Sequence, residues 1–325
     1  MKIKFIFIIL LIIILFSDKT SYKLLFSKNG EKLDNFKFIN IAYAFDNNYY
    51  YITHVSMKSI MLNQKKDTFI KFYILVHKSI YKEQKNIIDI ICQEHKNCDI
   101  RYFVLNNEFK ELTTIGGIKR TTAIYYRILL QNLLPYEKKI IYFDCDTLIY
   151  KDLNELYNYN ITDKYYIGGL EGRPILKYGP NLTNFINSGV MLINLENLRR
   201  DNILPKIYKF LRKYNKELIL LDQDAINVVC NKKLGFFPSN YISSGICDLN
   251  YLNMINKENL NNNRIKDLKE PYIFHFKIYT KPWYGIAKKG NFICYDFFPR
   301  FYEYARKTSI YFKLLEEFKV ITAKI

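Results

Sequence analysis

Short runs of aliphatic and aromatic residues alternate with longer amphipathic stretches through the first half of the chain. The runs are apolar enough for buried strands of a parallel sheet, and they cover residues 38–45, 69–76, 100–105 and 140–143. Between them the spacing of apolar positions predicts helices, over residues 50–62, 79–92 and 122–134. This alternation is typical of an α/β fold with a central, mostly parallel sheet flanked by helices, which binds ligands at the carboxyl ends of its strands.

The pattern is less regular after residue 150. Strands are expected over residues 166–170, 189–194 and 272–276, and helices over residues 203–214 and 222–230. Residues 241–250 have a mixed pattern, and residues 253–268 form a polar, asparagine-rich loop or helix. A long helix is expected over residues 300–318, where lysines alternate with aromatic side chains. No repeat or linker divides the body, so the pattern predicts one domain over 38–300 and a basic amphipathic helix over 301–325.

The amino terminus resembles a targeting segment. Lys2 and Lys4 precede an uncharged apolar run over residues 5–16, which is short for a helix that spans a membrane. No small-x-small cleavage site follows, so we expect residues 1–17 to be an uncleaved anchor and residues 18–37 a linker. Membrane association through this segment is therefore expected. The preceding lysines favour a body on the non-cytoplasmic side, and peripheral association with the cytoplasmic face is the alternative.

The chain is strongly basic, with a formal net charge of +18. Nucleic acid, an anionic membrane surface and anionic ligands are the partners that such a charge attracts. The sequence contains no zinc-finger spacing, no RNA-recognition aromatic signature and no long basic run, so we do not expect nucleic-acid binding. An anionic membrane surface and anionic ligands both remain candidate partners.

The six cysteines are irregularly spaced, and none belongs to a C-x-x-C pair. This spacing argues against a zinc site and does not require a disulfide framework, which favours a reducing compartment. Cys145 lies in an apolar run, where a small core residue is expected rather than a reactive thiol.

Two carboxylates, Asp144 and Asp146, end the apolar run that begins at residue 140. Residues two apart on a strand share a face, so both side chains can turn to one cation. Because a buried carboxylate is costly without compensation, and carboxylate oxygens suit Mn²⁺ or Mg²⁺, the pair predicts a metal site. The alternative is a helix cap, for which Asp152, ahead of Asn154, is also suited.

A second group of candidate residues lies near the end of the body. His275 follows an apolar strand, and Lys281 precedes Pro282 and Trp283, the only tryptophan of the chain. A single histidine on such a strand is usually a core residue. Together with Asp144 and Asp146 it is a candidate third metal ligand, and Lys281 is a candidate partner for phosphate.

Six short motifs occur in an order that resembles one known family. They lie at residues 44–49 (AFDNNY), 126–127 (YR), 143–146 (FDCD), 187–190 (NSGV), 221–224 (LDQD) and 275–283 (HFKIYTKPW). Over roughly residues 38 to 300 the chain is similar to glycosyltransferase family 8, the retaining nucleotide-sugar transferases that include bacterial lipopolysaccharide galactosyl- and glucosyltransferases and glycogenin.

This resemblance implies a GT-A fold and a metal-dependent transfer from a UDP-sugar. Asp144, Asp146 and His275 would hold Mn²⁺ (or Mg²⁺) between the two phosphates of the donor. Such a cation stabilises the charge that develops on a departing diphosphate, and Lys281 would add a second positive charge.

The resemblance also implies which residues contact the donor. Asp222 and Gln223 are the catalytic candidates, and Gln223 is expected close to the anomeric carbon. Asp46 and Asn48 would lie at the uracil and ribose, and Arg127 near the sugar and phosphates. Donor-binding residues are expected to be Ala44, Asp46, Asn48, Tyr49, Arg127, Asp144, Cys145, Asp146, Asn187, Lys277, Ile278 and Lys281.

The chain departs from the family at one position. Many members carry a glycine three residues after the metal-binding histidine, and here Ile278 stands there. A glycine lets the backbone approach the diphosphate closely, so the phosphate contacts are expected to differ, with Lys277 as a compensating charge.

Plainer roles exist for several of these residues. Asp46, Asn48 and Asn187 suit turns, Arg127 suits a helix surface, and Asp222 suits the start of a helix.

The expected function is transfer of a hexose, galactose or glucose, from UDP-galactose or UDP-glucose to a glycan or lipid-linked acceptor in cell-surface polysaccharide or lipopolysaccharide synthesis. Retention by double displacement and by front-face substitution are both open. One alternative is a non-catalytic nucleotide-sugar-binding member. Another is an Asp-x-Asp phosphohydrolase, which is disfavoured because Leu148 replaces the expected threonine. The carboxyl-terminal helix either rests on an anionic membrane or packs on the domain.

Overall fold

The computed structural model describes residues 36–46, 49–78, 81–106, 108–112, 114–115, 118–119, 121–171, 182, 185–243, 271–276, 281–284 and 298–323. The expected anchor over residues 1–17 lies outside the described residues, as does nearly all of the linker. So do Asn48, Lys277, Ile278 and the asparagine-rich segment 253–268.

The body contains a seven-stranded sheet and two small sheets. In chain order the strands are β1 (Lys37–Phe45), β2 (Thr68–His77), β3 (Cys98–Leu105), β4 (Thr114–Ile115), β5 (Ile118–Lys119), β6 (Lys139–Phe143), β7 (Thr147–Ile149), β8 (Tyr166–Glu171), β9 (Phe185–Asn194), β10 (Leu234–Phe236), β11 (Ile242–Ser243) and β12 (Ile273–His275). The large sheet has the order β10-β8-β9-β6-β1-β2-β3. Its β1–β6, β2–β3 and β8–β10 pairs are parallel, and β9 runs antiparallel to both neighbours.

Helices cover the sheet. The α-helices are α1 (Tyr50–Asn63), α2 (Tyr81–Glu94), α3 (Leu130–Leu133), α4 (Asn154–Tyr157), α5 (Leu195–Arg200), α6 (Ile203–Tyr214), α7 (Asp222–Cys230), α8 (Phe298–Arg306) and α9 (Tyr311–Ala323). Among the described residues, four 3₁₀ helices cover Lys110–Leu112, Thr122–Leu129, Asn231–Lys233 and Pro282–Tyr284. The architecture is the mixed α/β fold that the pattern predicted.

The central strand β6 contributes side chains to both faces of the sheet. Ile140 and Tyr142 belong to an apolar cluster with helices α5, α6 and α7, whereas Ile141 and Phe143 pack with α1 and α2. All four side chains are fully buried, and each such burial stabilises the fold by about 1.5–3 kcal/mol. The carboxyl end of β6 is therefore held in a fixed position, with Asp144 directly after it.

A small sheet brings a late segment of the chain to this end of β6. In it β12 lies between β11 and β7, and it pairs antiparallel with β7 so that His275 stands opposite Thr147. The Phe276 amide donates to the Asp146 carbonyl at 2.8 Å. This pairing places His275 beside the two aspartates.

Two predicted helices differ from the structure. The segment 122–134 is a 3₁₀ helix that continues into the short α3, and Thr121 caps its start by accepting from the Ala123 amide at 3.2 Å. The expected helix over 300–318 is two helices, α8 and α9. The Thr308 hydroxyl donates to the Ala305 carbonyl at 2.7 Å, and such local bonds compete with helical ones.

The cysteines also differ from the prediction in one respect. Cys92 and Cys98, at the end of α2 and the start of β3, form a disulfide. The irregular spacing gave no sign of this pair, and the inference of a reducing compartment loses its support. Cys145 is a buried free thiol, as expected for a core residue.

Within the described part of the chain, every helix is too short or too polar to cross a membrane.

Candidate active site

Three side chains form a possible metal centre at the carboxyl end of β6. Asp144, Asp146 and His275 each offer one ligand atom, and these atoms all lie within 4.8 Å of one another. His275 Nε2 lies 3.1 Å from Asp146 Oδ1 and 3.6 Å from Asp144 Oδ2. The structure thus brings together the three residues that the resemblance implies as ligands.

The donor set and its spacing fit a divalent cation. Two carboxylate oxygens and one imidazole nitrogen suit Mn²⁺ or Mg²⁺. Bonds of about 2.1 Å to one cation place neighbouring ligand atoms about 3 Å apart, and His275 Nε2 lies 3.1 Å and 3.6 Å from the two carboxylate oxygens. The residues present therefore fit such a cation.

Gly189 leaves the space in which these ligands meet. A Cβ atom at this position would lie 2.2 Å from His275 Cε1 and 2.6 Å from Asp144 Oδ2. Its carbonyl also accepts from the Asp144 amide at 2.6 Å. Only glycine fits here, and we did not predict it as a site residue, although the motif at 187–190 contains it.

Lys281 adds a positive charge to the same cluster. Its Nζ lies 2.7 Å from Asp146 Oδ2 and donates to the Tyr49 hydroxyl at 3.0 Å. Burial opposes ionisation of Asp146, but the Lys281 ammonium and His275 outweigh it and hold the pKa of this carboxyl well below its usual range. Asp146 is thus anionic at neutral pH, as a metal ligand must be.

Arg127 is buried beneath the aspartates. Its guanidinium pairs with Asp144 Oδ1 at 2.9 Å and Asp222 Oδ2 at 3.1 Å, and it donates to the Ser188 carbonyl. It also lies 4.3 Å from the centre of the Tyr142 ring, and the Tyr142 hydroxyl donates to Asp144 Oδ1 at 3.1 Å. With 6% of its surface exposed, Arg127 is not a surface cation, and it fixes Asp144 relative to Asp222.

The two catalytic candidates lie at the start of α7. Burial raises the pKa of Asp222 to about 6, with Arg127 opposing this shift and Asp144 adding to it. Gln223 Oε1 accepts from the Ser188 amide at 2.9 Å. Leu221 rather than Asp222 occupies the N-cap position, in a left-handed conformation with φ of 62°. The cap role suggested by the sequence is therefore absent for Asp222.

Asp46, Ala44, Cys145 and Asn187 are the other predicted site residues that the structure describes. Asn187 Oδ1 accepts from the Gly189 amide at 2.8 Å, and the Asp46 carbonyl accepts from the Tyr49 amide at 3.1 Å, so both positions also form turns. The Cys145 thiol donates to the Ala44 carbonyl at 3.5 Å, which joins the ends of β1 and β6. Their contacts with a donor stay a prediction.

Sequence reasoning missed Tyr142, Ser188 and Gly189. Ser188 and Gly189 stand inside a motif that was recognised. Tyr142 lies two residues before Asp144 on the same strand face, which was the available signal.

Comparison with known proteins identifies the family. A model described as Glycosyl transferase family 8 matches residues 40–287. A lipopolysaccharide 1,2-glucosyltransferase of Escherichia coli is 24% identical over 304 residues, 88% of this chain and 84% of that protein. A Haemophilus influenzae protein named "Putative glycosyltransferase" is 32% identical over 213 residues, and the match spans 62% of this chain and 62% of that protein.

A solved structure supports the same fold. The galactosyltransferase LgtC, in complex with donor and acceptor sugar analogs, matches with a TM-score of 0.66 at 21% identity. The match covers 83% of this chain and 96% of that chain, so the two share the GT-A fold. Because the family model spans most of the chain, from residue 40 to residue 287, this protein belongs to glycosyltransferase family 8.

Proposed function

We propose that this protein is a metal-dependent, retaining transferase that moves galactose or glucose from a UDP-sugar to a hydroxyl of a glycan or lipid-linked acceptor. The observation that carries the proposal is the group of Asp144, Asp146 and His275 around Gly189, with Lys281 beside it. The lipopolysaccharide glucosyltransferase among the relatives supports an acceptor of cell-surface polysaccharide or lipopolysaccharide type.

The site residues have different roles in the proposed reaction. Asp144, Asp146 and His275 would hold the cation, which when bound would act as a Lewis acid on the diphosphate leaving group. Lys281 stands 2.7 Å from Asp146, where its ammonium adds to that charge. Arg127 holds Asp144 and Asp222 at a fixed separation, so the proposed metal ligand and the catalytic candidate keep their relative positions.

Front-face substitution fits these contacts better than double displacement. Gln223 is an amide and a poor nucleophile, and the Asp222 carboxylate is already paired with Arg127 at 3.1 Å. In the front-face route the acceptor oxygen bonds to the anomeric carbon on the side from which the phosphate leaves. The bond from that carbon to the β-phosphate oxygen breaks, and this oxygen takes the acceptor proton.

The proposal is tested by UDP release from a panel of UDP-sugars, with Mn²⁺ and with a chelator. We expect slow, metal-dependent hydrolysis of one donor, which Asp146→Asn abolishes. Asp163→Asn is the matched control, because that carboxylate is exposed and lies outside the site. Binding of UDP with Mn²⁺ but no turnover, even with acceptor glycans, would indicate a non-catalytic member. Absence of UDP binding would refute the proposal.

We also propose that residues 1–17 associate the protein with a membrane. The uncharged apolar run over residues 5–16 supports this. Fractionation of the full chain and of a chain without residues 1–17 tests it: the full chain should sediment with membranes and the shortened one should not.

A further inference from the structure

Helices α8 and α9, here called the C-terminal pair, lie beyond the segment that the family model matches. They contribute to an apolar cluster that is separate from the two clusters on the faces of the large sheet. Its members include Phe274, Phe276, Trp283, Phe301, Leu314 and Phe318. The first three belong to the segment that carries His275 and Lys281, so the pair supports this segment from outside the sheet.

Trp283 is the centre of this cluster. It is 1% exposed, and its ring lies 5.2 Å from that of Phe301 and 6.3 Å from that of Phe318, measured between ring centres. On the other side it lies 5.8 Å from Phe276 and 6.4 Å from Tyr49. Its ring is therefore fixed by the C-terminal pair and by two residues next to the site.

Lys281 stands two residues before Trp283 and shares one of its neighbours, Tyr49. Its Nζ donates to the Tyr49 hydroxyl at 3.0 Å and lies 5.1 Å from the centre of that ring. A lysine side chain has many conformations, and holding it in one of them lowers the entropic cost of binding an anion. The contacts that fix Trp283 and Tyr49 therefore also fix the ammonium group of Lys281.

The pair is also attached to the body of the protein. Asn63 of α1 donates to the Tyr304 hydroxyl at 2.7 Å, and Arg300 lies 5.3 Å from the centre of the Tyr150 ring. The Tyr302 hydroxyl donates to the Pro282 carbonyl at 3.3 Å, next to Trp283. The pair thus connects the rigid body with the 281–284 segment.

We propose that the C-terminal pair positions Lys281 for the diphosphate of the donor, with Phe301, Phe318 and Trp283 as positioning residues. The inference rests on the proposed function, because it assigns the pair a part in donor binding. It also gives the pair a role other than contact with a membrane, since Leu314 and Phe318 are buried in the protein.

The first test compares two phenylalanines of α9 in the full-length protein. Phe318 is 6% exposed against Trp283, and Phe312 is 77% exposed on the same helix. We expect Phe318→Ala to raise the Kd for UDP with Mn²⁺, measured by calorimetry, about tenfold. Phe312→Ala should leave it unchanged, and Phe318→Leu should restore most of the affinity. Circular dichroism and urea unfolding show whether each variant is folded.

A double-mutant cycle separates positioning from general loss of structure. If Phe318 acts through Lys281, Phe318→Ala has no further effect on the Kd once Lys281→Met is present. An effect of equal size in both backgrounds would overturn the proposal, because it would show that Phe318 supports the fold alone.

A measurement without ligand separates this inference from the proposed function. Lys281 is nearly buried, so acetic anhydride should acetylate it slowly, and peptide mass spectrometry gives the rate. We expect Phe318→Ala to raise this rate at least threefold relative to the exposed Lys307, and Phe312→Ala not to. If the wild type fails to bind UDP, the proposed function is refuted, and the acetylation rate then decides only whether the C-terminal pair holds Lys281 in place. Equal rates in the wild type and Phe318→Ala would overturn it.

Discussion

At the scale of single residues, the site depends on the absence of a side chain at Gly189. Gly189 lies against both Asp144 and His275, and any Cβ at this position would overlap both. A ligand set that must meet at one cation tolerates little displacement, because a shift of about 1 Å can cost a hundredfold in rate. Site architecture at this level is not visible in a sequence, since a glycine in a strand equally marks a bulge, a bend or the close approach of another backbone.

Gly189→Ala tests this point. We expect it to lower the metal-dependent rate by about a hundredfold or more while the protein stays folded, since His275 and Asp144 must move apart. Gly169→Ala on the neighbouring strand β8 is the control, because the nearest atom to a Cβ there is Ile242 Cδ1, the end of a flexible side chain, at 3.2 Å. The rate of donor hydrolysis at saturating Mn²⁺ is the measurement. Equal rates in the two variants would show that the ligands do not depend on Gly189.

At the scale of elements, the sequence predicted most strands and helices because their apolar patterns are local. It placed β1, β2, β6, α6 and α7 within one or two residues of their observed ends. It missed the 3₁₀ helix over Thr122–Leu129 and the break between α8 and α9, since both depend on hydrogen bonds and packing that periodicity does not show. Arg127 shows why this matters for the site. Its side chain is buried because three elements contact it, and its neighbours in sequence do not indicate this burial.

The contact between α1 and α2 predicts a pH dependence. His54 of α1 is fully buried, its Nδ1 bonds to the Ile87 carbonyl of α2 at 2.8 Å, and its Nε2 has no hydrogen-bond partner among the described residues. Burial lowers the pKa of His54 to about 4, although the Ile87 carbonyl and Glu94 oppose this, and Lys58 and His95 reinforce it. The neutral form therefore stabilises the fold fully above pH 6.5, and this stability is lost as the pH falls towards 4.

His54→Asn isolates this effect, because the amide can still donate to the Ile87 carbonyl. From the two pKa values we expect the wild type to lose about 2 kcal/mol of unfolding free energy, relative to the variant, between about pH 7.5 and pH 5. Urea unfolding at both pH values measures it. A constant difference between the two proteins across this range would show that His54 titrates normally in the folded state.

At the scale of the whole molecule, the sequence predicted the family and the metal ligands but not every contact that supports them. The order of the six motifs pointed to the family, and the structure brings His275 to Asp144 and Asp146, which lie more than a hundred residues before it in the sequence. The Cys92–Cys98 disulfide and the support that the C-terminal pair gives to Trp283 were not predictable. The disulfide depends on how the chain turns between α2 and β3, and the support of Trp283 depends on which distant segments meet. A single sequence carries no direct record of either.

The charges of the site predict how the whole molecule responds to metal. Lys281 and His275 pair with Asp146, so we expect the metal-free protein to keep its fold. A cation that binds only the folded state adds stability that grows with its concentration, about 2.7 kcal/mol at one hundred times its Kd. For a domain of this size we expect Mn²⁺ to raise the Tm by about 4–5 °C, and a chelator to reverse the shift.

Asp146→Asn removes one ligand and serves as the comparison. Its Tm in chelator will be lower, because Lys281 loses its buried partner, but Mn²⁺ should leave that Tm unchanged. Asp163→Asn, at an exposed carboxylate, should show the full shift of the wild type. Scanning calorimetry of the wild type and the two variants, each with Mn²⁺ and with chelator, gives the six Tm values. An equal Mn²⁺ shift in Asp146→Asn would place the bound cation elsewhere, and the three-residue centre would then not be the metal site of this transferase.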